Sequence, residues 1–164
     1  MTLRVLGSSR HSEGEENQTR VRKSVEIASP PERVWPFFVE PEKVLQWCMT
    51  FKRFEYSGSQ RSGAGTPIYI EEEVGGRLSR MQFEATEWKE NEKLALRMVS
   101  GGNYRSYRME FSLERTASGS RATFMETVEL PYGVIGRLVG VAGERISAAM
   151  VGKMEAKLKA LAEA

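Results

Sequence analysis

The chain has 164 residues, of which 28% are charged and 40% apolar, and a formal net charge of +2. That length suits one domain with a modest tail and can bury a core without disulfides or metals. The evenly mixed charge argues against a dedicated nucleic-acid binder, which carries a basic stripe. One cysteine, Cys48, and one histidine, His11, exclude an intramolecular disulfide and a His/Cys zinc site. A histidine-dependent nucleophilic triad would need His11, which lies in a polar stretch with no sign of order.

Met1–Leu6 is short and interrupted by Arg4, so it lacks the apolar length of a signal peptide. No run approaches the roughly 20 apolar residues of a membrane-spanning helix. The expected setting is therefore soluble and cytoplasmic. Residues 7–20 are polar and have no apolar period, which predicts a flexible tail over 1–20 and a domain over 21–164. Val21–Ala28 alternates as a half-buried strand. Ser29-Pro30-Pro31-Glu32 predicts a capped helix start, with Ser29 as the cap and Glu32 completing a capping box. Pro36 removes a backbone donor and predicts a kink. Pro41 opens a second short helix ending at Trp47.

Strand texture then takes over. Phe51–Ser57 and Pro67–Val74 flank a Gly- and Ser-rich loop, and Gly75-Gly76 is a two-residue hairpin signal. Leu78–Trp88 alternates Met81, Phe83 and Ala85 against Arg80, Gln82 and Glu84. Leu94, Leu96 and Met98 alternate next, then Tyr107, Met109, Phe111 and Leu113, then Ala122, Phe124, Glu126, Val128 and Leu130. From Val134 to Ala162 the period becomes helical, through Ile135, Val139, Ala142, Ile146, Met150, Met154, Leu158 and Leu161. Lys153, Glu155, Lys157 and Lys159 fall in the last turns as charged positions. Hairpin-length connections predict an antiparallel sheet, and the C-terminal helix is the one large amphipathic element able to cover it.

Several short motifs occur along this order. Val25-Glu26-Ile27-Ala28-Ser29-Pro30-Pro31-Glu32-Arg33-Val34-Trp35 is a strand followed by an S-P-x-x-V-W helix start. Glu40-Pro41-Glu42-Lys43 with Trp47, Gly63-Ala64-Gly65-Thr66, Gly76-Arg77, Ser120-Arg121-Ala122-Thr123 and Tyr132–Leu138 follow. Together they resemble the helix-grip superfamily of START domains, polyketide cyclase/dehydrase-like proteins, coenzyme Q-binding proteins and birch-pollen-type allergens (SRPBCC), over about residues 21–162. The resemblance implies an α+β helix-grip fold. A seven-stranded-type antiparallel sheet, two short helices and a long C-terminal helix would enclose a cavity for a lipid, polyketide or quinone-like molecule. It implies no particular reaction, because fold does not carry function.

Strand phase names the expected cavity lining: Met81, Phe83, Leu96, Met98, Tyr107, Met109, Phe111 and Phe124, with Ile146 and Met150 from the helix. Trp35 and Phe38 of the first short helix join this ligand-binding set. Methionine suits an irregular apolar site, although the same residues also fill ordinary cores. Glu126 shares the inward phase of Phe124 and Val128, and Glu72 that of Ile68 and Ile70. A carboxyl so placed is desolvated, which tunes it for proton transfer; a bulge or an arginine partner would instead make it structural. Tyr107 can donate its hydroxyl to a ligand. Glu126, Glu72 and Tyr107 are therefore the candidates for any catalysis. Arg80, Arg97, Arg105 and Arg108 fall on the outer face as solvated charges.

Gly133–Val141 is apolar on nearly all sides. It is expected to be a buried helix start under the loops; the alternative is an entrance segment that touches a membrane transiently. The favoured function is non-covalent binding or transport of a small hydrophobic ligand, with no cofactor or metal and no nucleic acid. Two alternatives stay open. One is a polyketide cyclase or dehydratase using a cavity carboxylate, which the missing cavity histidine weakens. The other is a protein-interaction module. Either a monomer or a dimer is compatible with the sequence.

Overall fold

The computed structural model describes residues 18–131 and 133–164; for 133–144 the description covers the backbone and not the side chains. The elements run β1 (Gln18–Ile27), α1 (Pro31–Val34), α2 (Pro36–Val39), α3 (Pro41–Trp47), β2 (Phe51–Tyr56), β3 (Pro67–Val74), β4 (Arg77–Lys89), β5 (Lys93–Gly101), β6 (Ser106–Thr116), β7 (Gly119–Glu129) and α4 (Gly133–Glu163). The seven strands form one sheet in the order β1-β7-β6-β5-β4-β3-β2. Every neighbouring pair is antiparallel. Consecutive hairpins build β2 to β7, and β7 then returns beside β1.

The Gly75-Gly76 turn forms as expected: both residues have positive φ, 58° and 77°, which glycine adopts most readily. The outer-face arginines Arg80, Arg97, Arg105 and Arg108 are all exposed. The opposite face is buried under α4 and the three short helices. Ile68, Ile70, Met81, Phe83, Leu96 and Met109 are nearly or wholly inaccessible there.

Several local expectations are corrected. β1 begins at Gln18, because Gln18, Thr19 and Arg20 pair with Glu129, Val128 and Thr127 of β7. The rest of the expected tail, residues 1–17, lies outside the described residues. Pro36 does more than kink the first short helix: it divides the segment into α1 and α2 at Trp35. Ser29 does not cap α1. Pro30 occupies the cap position, while Ser29 Oγ donates to the Ala162 carbonyl at the far end of the chain, 2.6 Å away. Glu32 pairs with Arg115 rather than closing a capping box.

The expected stripe of α4 holds only in part. Among its described side chains, Met154 and Leu158 are buried as expected, together with Val151, Glu155 and Ala162, whereas Ile146 is 64% exposed. Three ties fix the C-terminal end of α4 to the β1–α1 junction. Besides Ser29, Lys159 Nζ donates to the Glu26 carbonyl (2.8 Å) and Glu163 accepts from the Ala28 N–H (2.7 Å). Among the described residues, no helix is long and apolar enough to cross a membrane.

Candidate functional site

The space between α4 and the sheet divides into a filled half and an open half. In the filled half, Trp47, Phe111 and Phe124 surround Phe38, with Phe111 and Phe124 ring centroids 4.9 Å apart and Phe38 and Phe111 5.3 Å apart. Trp47 is held by its indole N–H, which donates to the Phe37 carbonyl at 2.7 Å. The remaining gap there, bordered by Leu158 and Glu155, has no room for a water molecule. Trp35 packs edge-on against Trp88 at the rim of this cluster. Aromatic bulk therefore closes the end that carries the short helices.

The open half is a cavity of about 320 Å³. Its apolar wall is Val128 of β7 and Leu130 just beyond it, with Met150, Val151 and Met154 from α4. Val74, Gly75 and Ile146 stand at its mouth, where Val74 and Ile146 are exposed. A larger surface depression, about 660 Å³, lies beside the β4–β5 turn and is lined mainly by charged residues. It lacks the apolar enclosure of a ligand pocket.

The polar floor of the cavity brings together all three candidates for chemistry. Tyr107 Oη lies 3.0 Å from Glu126 Oε2 and 3.4 Å from Glu72 Oε1. Thr50 Oγ1 donates to Glu72 at 3.2 Å. Glu126 reaches this position because β7 runs in continuous register against both neighbours, opposite Val21 of β1 and Met109 of β6. No bulge turns it outward. Glu72 is 5% exposed, and its flanking Glu71 and Glu73 point away from the floor. Glu71 meets Arg80 on the outer face, and Glu73 is exposed at the rim.

Hydrogen-bond stoichiometry constrains the trio. A tyrosine hydroxyl has one proton to donate and lone pairs to accept. Between two ionised carboxylates it satisfies only one. With one carboxyl protonated, all contacts are satisfied: that carboxyl donates to Tyr107 Oη, and Tyr107 donates to the other. The electrostatics assign the proton to Glu72. Its burial, together with the nearby charge of Glu126, pushes its carboxyl up to about 7. Burial also raises Glu126, although the Tyr107 hydrogen bond opposes this. Burial and the two glutamates hold the Tyr107 hydroxyl well above its ordinary value. Cys48 is raised too, by burial and then by Glu72, so its thiol stays protonated.

Of the expected lining, Tyr107, Glu126, Ile146 and Met150 border the cavity, together with Glu72. Trp35, Phe38, Met81, Phe83, Leu96, Met109, Phe111 and Phe124 are buried in the packed core, and Met98 packs against it half-buried. Phe111 and Phe124 share the inward sheet face with Tyr107 and Glu126 but do not border the open space, because Phe38 and Trp47 of the short helices fill that half. Sequence reasoning missed Tyr104, Thr50 and Ser147, which do border it. Tyr104 lies in the turn before β6, its ring 5.2 Å from that of Tyr107. Burial and then Glu72 and Glu126 raise its hydroxyl to about 12. Strand phase cannot reach a residue in a turn. The buried helix start expected at Gly133–Val141, like the alternative of an entrance segment, falls on side chains outside the described residues.

An antiparallel sheet gripping a long C-terminal helix, with an apolar pocket and a few buried polar groups between them, defines a helix-grip fold built to hold a hydrophobic ligand. The family described as "Polyketide cyclase / dehydrase and lipid transport" matches residues 18–164, and the chain belongs to it. Solved structures share the fold at low identity. A START superfamily protein from Mycobacterium smegmatis is 17% identical, with a TM-score of 0.72 over 88% of this chain and 97% of that one. A Thermus thermophilus protein is 19% identical, with a TM-score of 0.71 over 88% and 96%. The di-domain aromatase/cyclase StfQ of the steffimycin biosynthetic pathway is 12% identical, with a TM-score of 0.73 over 94% of this chain and 54% of that one. No curated protein matches the chain.

Proposed function

We propose that the protein binds or carries a small hydrophobic molecule in the cavity between α4 and the sheet. The observation that carries this reading is the 320 Å³ space itself, walled by aliphatic and methionine side chains and floored by Glu72, Tyr107 and Glu126. Burial of ligand surface supplies the affinity, at about 25 cal/mol per Å² of apolar area before the costs of association. The floor orients the ligand's polar end. Native mass spectrometry of the purified protein tests the reading directly, with an apolar fluorescent probe as the second assay. Met150→Trp places an indole in the cavity and is expected to abolish probe binding while the fold survives. Equal probe binding by wild type and Met150→Trp would refute the assignment of the site.

One observation favours a second reading, cyclisation or dehydration of a polyketide-like substrate. The Glu72–Tyr107–Glu126 chain can pass a proton between two carboxyls beside a bound carbonyl compound, the work of a general acid and base. An apolar cavity would hold the substrate folded for reaction. Glu126→Gln separates the readings: a catalyst loses turnover and keeps binding, while a carrier has no turnover to lose.

A further inference from the structure

The cavity has a chemical sign that the binding reading leaves unused. Its described lining contains three glutamates, Glu72, Glu73 and Glu126, and no lysine or arginine. Glu72 is 5% exposed, Glu126 is half-buried, and both line the cavity. Neither forms an ion pair among the described residues. Tyr107 gives Glu126 one hydrogen bond and Thr50 gives Glu72 one. A carboxylate has about four lone-pair sites, so acceptor capacity on this floor exceeds the donors the protein supplies. A buried carboxylate short of donors is costly, and a ligand that brings a cation or several N–H groups relieves that cost.

The rest of the lining agrees with a cationic guest. The rings of Tyr104 and Tyr107 stand edge to face beside the two carboxyls, and an ammonium is attracted to a tyrosine face as well as to a carboxylate. Glu73 at the rim adds a third carboxylate to the described lining, which favours a cation over an anion there. The apolar wall of Val128, Leu130, Met150, Val151 and Met154 then requires an uncharged hydrocarbon body.

We infer that the ligand is a hydrophobic amine, an ammonium group on an apolar body of about ten heavy atoms at roughly 30 Å³ each, seated with its nitrogen against Glu72 and Glu126. This rests on the binding reading above and assigns that site its ligand class. Fatty acids and other anionic amphiphiles are excluded by the same charges.

Three probes with the same eight carbons and different head groups test it: octylamine, 1-octanol and octanoate. Each is titrated into the full chain by calorimetry at pH 8 and low ionic strength. Octylamine is expected to bind at least roughly tenfold more tightly than 1-octanol, since charge-assisted contacts are about twice as strong as neutral ones, and octanoate is expected to bind most weakly. Glu126→Gln and Glu72→Gln, each checked for folding by circular dichroism, are expected to lower the ratio of octylamine to 1-octanol affinity. Glu155→Gln, on α4 but away from this floor, is expected to leave the preference unchanged. If 1-octanol binds as tightly as octylamine, or octanoate binds best, the amine assignment is overturned and the hydrophobic site stands. If the amine preference survives in both cavity variants, the assignment to these carboxyls is overturned. If none of the three binds, the binding reading falls and the amine with it.

Discussion

Glu155→Gln should gain stability relative to the wild type as the pH rises from mild acid to alkaline. Glu155 lies on the buried stripe of α4 at 5% exposure, and its Oε1 has no hydrogen-bond partner. Burial pushes its carboxyl up to about 7, against the smaller pull of the Phe124 backbone N–H and the charge of Lys23. In the unfolded chain the same carboxyl releases its proton near the ordinary value of 4.5. Between these two values the folded state holds more protons, so stability falls as pH rises through that window. The contribution is fully present below the lower value and lost above the upper one. Holding a glutamate at about 7 instead of 4.5 corresponds to on the order of 3 kcal/mol at pH 8. Glutamine has the same shape and cannot ionise. Whatever its amide costs in that position is the same at every pH and cancels from the pH trend. Urea unfolding of both proteins at pH 4.5, 6, 7 and 8 reads the difference directly. The variant's advantage should grow across that range to on the order of 3 kcal/mol. A difference that stays flat with pH would refute the reasoning, since it would mean Glu155 ionises freely in the folded state.

Octylamine binding should tighten between pH 6 and pH 8 as Glu72, held at about 7, gives up its proton, while 1-octanol binding should not follow; calorimetry across that range measures both. Ser29→Ala removes a buried donor from the Ala162 carbonyl and should cost about 1–2 kcal/mol in urea unfolding. Gly119→Ala should be far more damaging, because a Cβ there would stand 2.2 Å from the Ile27 carbonyl and 2.6 Å from the Ser29 nitrogen. Both atoms are backbone, so the β1–β7 junction must shift, with an expected loss of more than about 3 kcal/mol in thermal unfolding.

The two-residue period marked the inward face of most strands, including Glu72 on β3 and Glu126 on β7, but not of β2, where a register shift between Phe51 and Arg53 leaves Phe51 and Phe54 both buried. The meeting of Glu72 and Glu126 was not legible. Three strands, β4 to β6, separate them in the sheet, and alternation fixes phase without fixing how a sheet bends. The same limit explains the lining. Phe111 and Phe124 share the phase of Tyr107 and Glu126, yet which half of the face stays open depends on where Phe38 and Trp47 land. That is set by the short helices and the proline break at Trp35. Glu155 was hidden for a different reason. It sits among Lys153, Lys157 and Lys159, so local composition marks it as solvated, although its spacing from Val151 and Leu158 puts it on the buried stripe.

The three ties at the C-terminal end of α4 make the helix a lever with its fulcrum far from the cavity. Ala162 is held there, and Met150 lies twelve residues back toward the mouth, about 18 Å along the axis at 1.5 Å per residue. A swing of about 5° at the fulcrum moves Met150 by roughly 1.5 Å, the width of one methylene step, and moves Leu158 by about a third of that. Bulk added to a guest of the proposed site would therefore be taken up at the open end, with little change in the aromatic half. By the same geometry, substitutions at Ser29, Lys159 or Glu163, none of which lines the cavity, would alter its width.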